Sequence, residues 1–76
     1  MSYGYSQRLI ERNGLANEKK LGVRLGRVCI EHKVPVTVVA SVFGVTRQTV
    51  YNWFSGTSNP AEPLHSRVNS YVSTLT

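Results

Sequence analysis

Apolar residues return at a helical interval through most of this chain, and glycine or proline breaks the pattern wherever one helix has to give way to the next. Leu21, Leu25, Val28 and Cys29 stand at i, i+4, i+7 and i+8, which puts them on one face of an α-helix. Asn17 ahead of them suits the N-cap, and Glu18 suits the positive end of the helix. Gly22 and Gly26 each cost about 1 kcal/mol relative to alanine inside a helix. They mark either close contact with another helix or a helix that starts late or frays. Val34-Pro35 ends this segment, and Pro35 can open the next, because a first-turn residue has no N–H partner to lose.

The next segment, Val36–Phe43, holds four valines and Thr37. All are poor helix formers, so packing must hold it, and a strand over 34–43 is the alternative. Gly44, the Thr46 cap and the apolar pattern beyond them decide for helix. Glycine permits the positive φ that a tight turn between helices requires. Thr46 suits the N-cap of a second helix, with its oxygen accepting from the N–H of Gln48 or Thr49. Val39, Phe43, Val45, Val50 and Trp53 then fall on the inner faces, while Ala40 supplies a small side chain where two crossing helices come closest.

The run V-A-S-V-F-G-V-T-R-Q-T-V-Y-N-W-F-S-G resembles the helix-turn-helix of Cro and C1 phage repressors and their bacterial relatives. The matching positions are Ala40, Gly44 four later, Val45 after it, Val50 and Trp53, with Gly56 and Pro60 closing the segment. G-V-T-R-Q-T-V-Y is also similar to the DNA-binding helices of resolvases and some transposases. The resemblance implies an all-α, lambda-repressor-like domain of four to five helices, with the helix-turn-helix at 36–56. It departs from the family at Phe54, where many relatives are polar, and at Val36 and Val38, where Gln and Glu are usual.

Taking Thr46 as the cap, Arg47, Gln48, Tyr51, Asn52 and Ser55 share the outer face of the second motif helix. Arg47 can form a bidentate pair with guanine O6 and N7, and Gln48 or Asn52 with adenine N6 and N7. The resemblance assigns base reading to the same three positions. Contacts to phosphates are expected from Thr37, Thr49, Tyr51, Ser55, Thr57, Ser58, Asn59 and Lys33. The motif core is expected from Val39, Ala40, Phe43, Gly44, Val45, Val50 and Trp53.

Charge sharpens this picture. The 76 residues carry nine Lys and Arg against four Asp and Glu, a net charge of +5 and a pI near 9.9, which favours a polyanionic partner. Lys19, Lys20, Arg24, Arg27, Lys33 and Arg47 face only Glu31 between residues 19 and 47. Cys29 has no second cysteine to pair with and reads as a small core residue. No apolar segment has the length of a membrane span, and no leader is visible, so a bacterial or phage-infected cytoplasm is expected. His32 and His65 lack metal-ligand spacing, the four carboxylates form no acid–base pair, and no Gly-rich phosphate loop exists. No enzyme, cofactor, metal or small-molecule substrate is expected.

The ends of the chain are less determined. Residues 1–16 read as an N-terminal arm or short helix, with Ser6 capping one or two turns over 7–12 and Asn13-Gly14 ending them. Tyr3 and Tyr5 either pack on the domain or hang free as an arm, in which case Arg8 and Arg12 lie near a polyanion; a frayed terminus is the alternative. Residues 17–76 form the domain proper. After the loop 57–59, Pro60 or Pro63 can start a last helix whose stripe is Leu64, Val68, Tyr71, Val72 and Leu75. That stripe can close the core or join a homodimer, with Phe54 as a second candidate for the seam. The expected function is a sequence-specific regulator of double-stranded DNA, a Cro/C1-like transcriptional repressor reading an operator. The alternative is a protein-binding adaptor or polymerase inhibitor built on the same scaffold.

Overall fold

A computed structural model describes residues 7–76 of the chain, so Tyr3, Tyr5 and the Ser6 cap lie outside the described residues. Five α-helices follow in order: α1 Gln7–Leu15, α2 Leu21–Glu31, α3 Val36–Phe43, α4 Arg47–Ser55 and α5 His65–Leu75, with a 3-10 turn Glu62–Leu64 before the last. Among the described residues there is no strand, so 34–43 is helical from Val36 onward.

The centre of the packing is the seam between α2 and α4. Gly22 and Gly26 lie on it. A Cβ on Gly22 would sit 2.8 Å from both Trp53 Cβ and Trp53 O, and one on Gly26 would sit 2.6 Å from Phe54 Cγ. The two glycines are therefore contact sites, and their poor helix propensity is offset by the burial they permit. Val23, Leu25, Cys29, Val50 and Phe54 are fully enclosed around the seam. Each of the large side chains contributes about 1.5–3 kcal/mol by leaving water. Phe54 is thus a core residue and not a candidate for an outer seam. Val36 is likewise buried, because it shares the inward face of α3 with Val39, Ala40 and Phe43, whereas Val38 and Val42 stay partly exposed.

Two helix boundaries differ from expectation. Asn17 does not cap α2. Its Oδ1 accepts from the N–H of Lys19 and its carbonyl from that of Lys20, which closes a separate turn, and α2 begins at Leu21. The free N–H of Gly22 in the first turn of α2 is served instead by Asn59 Oδ1, at 3.2 Å. Asn13-Gly14 does not end α1 either. Asn13 is buried inside the helix and its Nδ2 donates to Phe54 O at 2.7 Å and Val23 O at 3.1 Å. One amide thereby ties α1 to α4 and α2, and these bonds outweigh the weak local propensity. With Leu9 also in the core, α1 packs as part of the domain.

At the other end, α5 closes the core with Val68 and Val72, both buried, while Leu64, Tyr71 and Leu75 are half-buried. Phe43 meets Trp53 edge-on at 6.0 Å between ring centroids and Tyr71 at 5.5 Å, so α3, α4 and α5 share one aromatic cluster. Arg67 lies 5.5 Å from the Phe43 ring centre and donates to Val42 O at 2.7 Å. It satisfies a carbonyl that the end of α3 leaves open.

Candidate nucleic-acid interface

The outer face of α4 is set by how α3 hands over to it. Gly44 takes φ +66°, in the left-handed region, and Val45 N–H returns to Ala40 O at 3.0 Å. The turn then runs extended through Thr46, whose Oγ1 accepts from Thr49 N–H at 3.2 Å. Its hydroxyl also lies 3.0 Å from that of Thr49. At the far end Gly56 takes φ +82°, and Lys20 Nζ donates to Gly56 O at 3.0 Å. Both ends of α4 are therefore fixed, and its rotation is fixed by the burial of Val50, Trp53 and Phe54.

With those three residues inward, the helical period turns Arg47, Gln48, Tyr51, Asn52 and Ser55 outward. Arg47 and Gln48 are exposed; Thr49, Tyr51, Asn52 and Ser55 are half-buried. Gln48 Nε2 donates to Asn52 Oδ1 at 3.1 Å. That bond orders two side chains against each other and leaves Gln48 Oε1 as an acceptor and Asn52 Nδ2 as a donor without a partner among the described residues. One acceptor beside one donor is the complement of the major-groove edge of adenine. Arg47, one residue before Gln48, has no hydrogen bond or ion pair among the described residues, so its five donors stay available to a ligand.

The residues expected at phosphates divide. Ser55 Oγ donates to Tyr51 O at 2.9 Å and lies 3.1 Å from Thr57 Oγ1, so these two hydroxyls are largely engaged within the chain. Asn59 turns its amide oxygen to α2. Ser58 is exposed in the loop, while Lys33, at φ +59°, and Thr37 stand exposed before and at the start of α3. Among the expected motif-core residues, Val39, Ala40, Phe43, Val50 and Trp53 are buried, Val45 is half-buried and Gly44 is exposed.

An open cleft of about 220 Å³ lies between α1 and α4, lined by Arg8, Leu9 and Arg12 on one side and by Gln48, Tyr51, Asn52, Ser55 and Thr57 on the other. Two guanidinium groups border it and no carboxylate does. Around α2, by contrast, Lys19, Arg24 and Arg27 are interspersed with Glu18 and Glu31, and Arg27 pairs with Glu18 at 2.6 Å. Arg8 and Arg12 form no ion pair among the described residues, and the neighbouring Glu11 meets Gln7 instead; counting charge along the middle of the chain passes over these two cations. From the sequence they are expected near a polyanion only as part of a free arm, whereas here they stand on a helix packed through Leu9 and Asn13. Among the described residues no group of three His, Cys, Asp or Glu could hold a metal ion, and no helix is long and apolar enough to cross a membrane. Comparison with family models, curated proteins and solved structures finds no match to this chain.

Proposed function

We propose that the chain is a sequence-specific double-stranded DNA-binding regulator whose α3 and α4 form a helix-turn-helix, with α4 entering the major groove. The observation that carries this reading is the outer face of α4, where Arg47 stands unpaired among the described residues, beside a Gln48–Asn52 pair already ordered by its own hydrogen bond. A guanine reader next to an adenine reader, on a helix held at both ends, matches base-edge recognition better than it matches an idle solvated surface. Binding by Arg47, Gln48 and Asn52 at an operator would exclude polymerase, the repressor mode that the resemblance to Cro and C1 proteins implies. The chain works as a two-fold pair, since one α4 spans too few base pairs for high specificity. Val68 and Val72 are buried within the chain, which leaves Leu64, Tyr71 and Leu75 as the part of the stripe available to a seam.

Selection of bound duplexes from a random pool should return a defined site. On that site Arg47→Ala should cost about 1–3 kcal/mol and relax the preference at one base pair, without changing the melting temperature. A variant that binds selected and random duplexes as the parent does would overturn the assignment of α4. The adaptor reading is supported by the partly exposed pair Val38 and Val42 on α3. It predicts no selected site at all.

A further inference from the structure

We propose that Arg8 and Arg12 of α1 grip the sugar–phosphate backbone bordering the groove that α4 enters, so that α1 and α4 close on one stretch of backbone from two sides. This rests on the DNA-binding reading of α4 and assigns the backbone contact to a helix outside the helix-turn-helix.

The rotation of α1 is what places the two arginines. Leu9 is buried and Asn13 is bonded to Phe54 O and Val23 O, two anchors at i and i+4 that fix one face of the helix on α2 and α4. Arg8 and Arg12, also at i and i+4, then lie together one residue round from that face, at the edge of the cleft. Neither forms a hydrogen bond or ion pair among the described residues. Three other cations have tasks inside the fold: Arg27 donates to Asn13 O, Lys20 to Gly56 O and Arg67 to Val42 O. Nothing among the described residues uses Arg8 or Arg12 in this way.

The opposite wall says which groups can meet an anion. A Ser55 hydroxyl proton given to Tyr51 O makes Thr57 the donor in the contact between the two hydroxyls. Neither proton then points into the cleft. The donors left in the cleft are the two guanidiniums, whose planar forks suit phosphate oxygens, the Tyr51 hydroxyl and the Asn52 amide, and only the guanidiniums carry charge. Gln48 and Asn52 line the same cleft. Phosphates held there would lie beside the base pair that those amides meet and add affinity on any sequence, since a backbone contact carries no sequence information of its own.

The test uses the full chain with Arg8→Gln and Arg12→Gln, singly and together, and measures duplex affinity over a range of salt. Each phosphate contact contributes about 0.9 to the slope of log affinity against log salt. The double variant should therefore lose about 1.8 from the slope, each single variant about 0.9, by the same amount on selected and random duplexes. Base preference should stay as in the parent. Duplexes with one phosphate at a time replaced by a neutral methylphosphonate should weaken the parent at one or two positions beside the base pairs read through Gln48 and Asn52. The double variant should be insensitive at those positions. An unchanged salt slope, an undiminished methylphosphonate effect, or a relaxed base preference in the variants would overturn the grip while leaving the DNA reading intact. A parent chain that shows no salt-dependent duplex binding would overturn both.

Discussion

Replacing Gly26 by alanine tests the seam on which the whole arrangement depends. The added Cβ would stand 2.6 Å from Phe54 Cγ, 2.7 Å from Asn13 Nδ2 and 2.9 Å from Phe54 Cβ. Carbon atoms pack best at about 3.5–4.0 Å, so α4 or the Asn13 amide has to give way by roughly an ångström. Phe54 is fully buried and has no open space to move into. Overpacking of this kind costs about 1–3 kcal/mol. Displacing Asn13 adds about 0.5–1.5 kcal/mol for a weakened hydrogen bond. Against these stands a gain of about 1 kcal/mol in helix propensity. The net expectation is a loss of about 0.5–3.5 kcal/mol. For a domain of this size that corresponds to a fall in Tm of about 2–28 °C.

Gly14→Ala is the matched control. Gly14 is also helical, but outside its own helix backbone and chain neighbours no atom of the described residues lies within 4 Å of where its Cβ would be, so only propensity acts and the variant should gain about 0.5–1 kcal/mol. Thermal and urea unfolding of both variants, followed by circular dichroism, gives the comparison. The two changes should have opposite signs. A Gly26→Ala chain that gains stability as Gly14→Ala does would mean that α2 and α4 are not in contact there, and the placement of α4 would fall with it. Because Phe54 is in α4, the Gly26 variant should also bind duplex DNA more weakly below its melting temperature, by displacing Arg47, Gln48 and Asn52 together.

Burial pushes the Cys29 thiol from its usual 9.0 up to about 12. The folded chain then holds the proton where the unfolded chain releases it, so this contribution to stability is complete below about pH 9 and is lost as the pH rises toward 12. At pH 8 a disulfide-exchange reagent should modify Cys29 only at the rate at which the domain opens, and rapid reaction of the native protein would refute its enclosure. Sedimentation with a palindromic duplex should show two chains per duplex and weaker binding when one half-site is removed. A strict 1:1 complex indifferent to that removal would exclude the two-fold pair.

The segment from Val36 to Gly56 was legible because its determinants are local. A glycine at positive φ, a threonine cap on the next helix and an apolar period on each side all act within a few residues. The start of α2 was not legible, since its first-turn N–H is served by Asn59, 37 residues away. Asn13-Gly14 reads as a stop signal by local propensity. It is overruled by carbonyls in α2 and α4 that only the folded chain brings near. Val23 lies off the stripe formed by Leu21, Leu25 and Cys29, yet it is fully buried, because α2 is covered by α1 and α5 as well as α4. A one-face pattern cannot report a helix enclosed on several sides. On the proposed interface, the outer-face position of Arg47, Gln48 and Asn52 could be read from the period of α4 alone. The cleft beside them could not, because it needs the position of α1.

Positive charge has two uses in this chain that composition adds together. Lys20, Arg27 and Arg67 each donate to a carbonyl at or near the C-terminal end of a helix, α4, α1 and α3 respectively. There the helix dipole favours a cation and the last turn leaves carbonyls without partners. These three charges hold the helices in place and are directed inward at the backbone. Arg8, Arg12 and Arg47 have no such task among the described residues and lie on or beside the outer face of α4. A net charge of +5 therefore does not measure how many phosphates the chain can neutralise. The salt dependence of binding should follow the second group, and thermal stability the first.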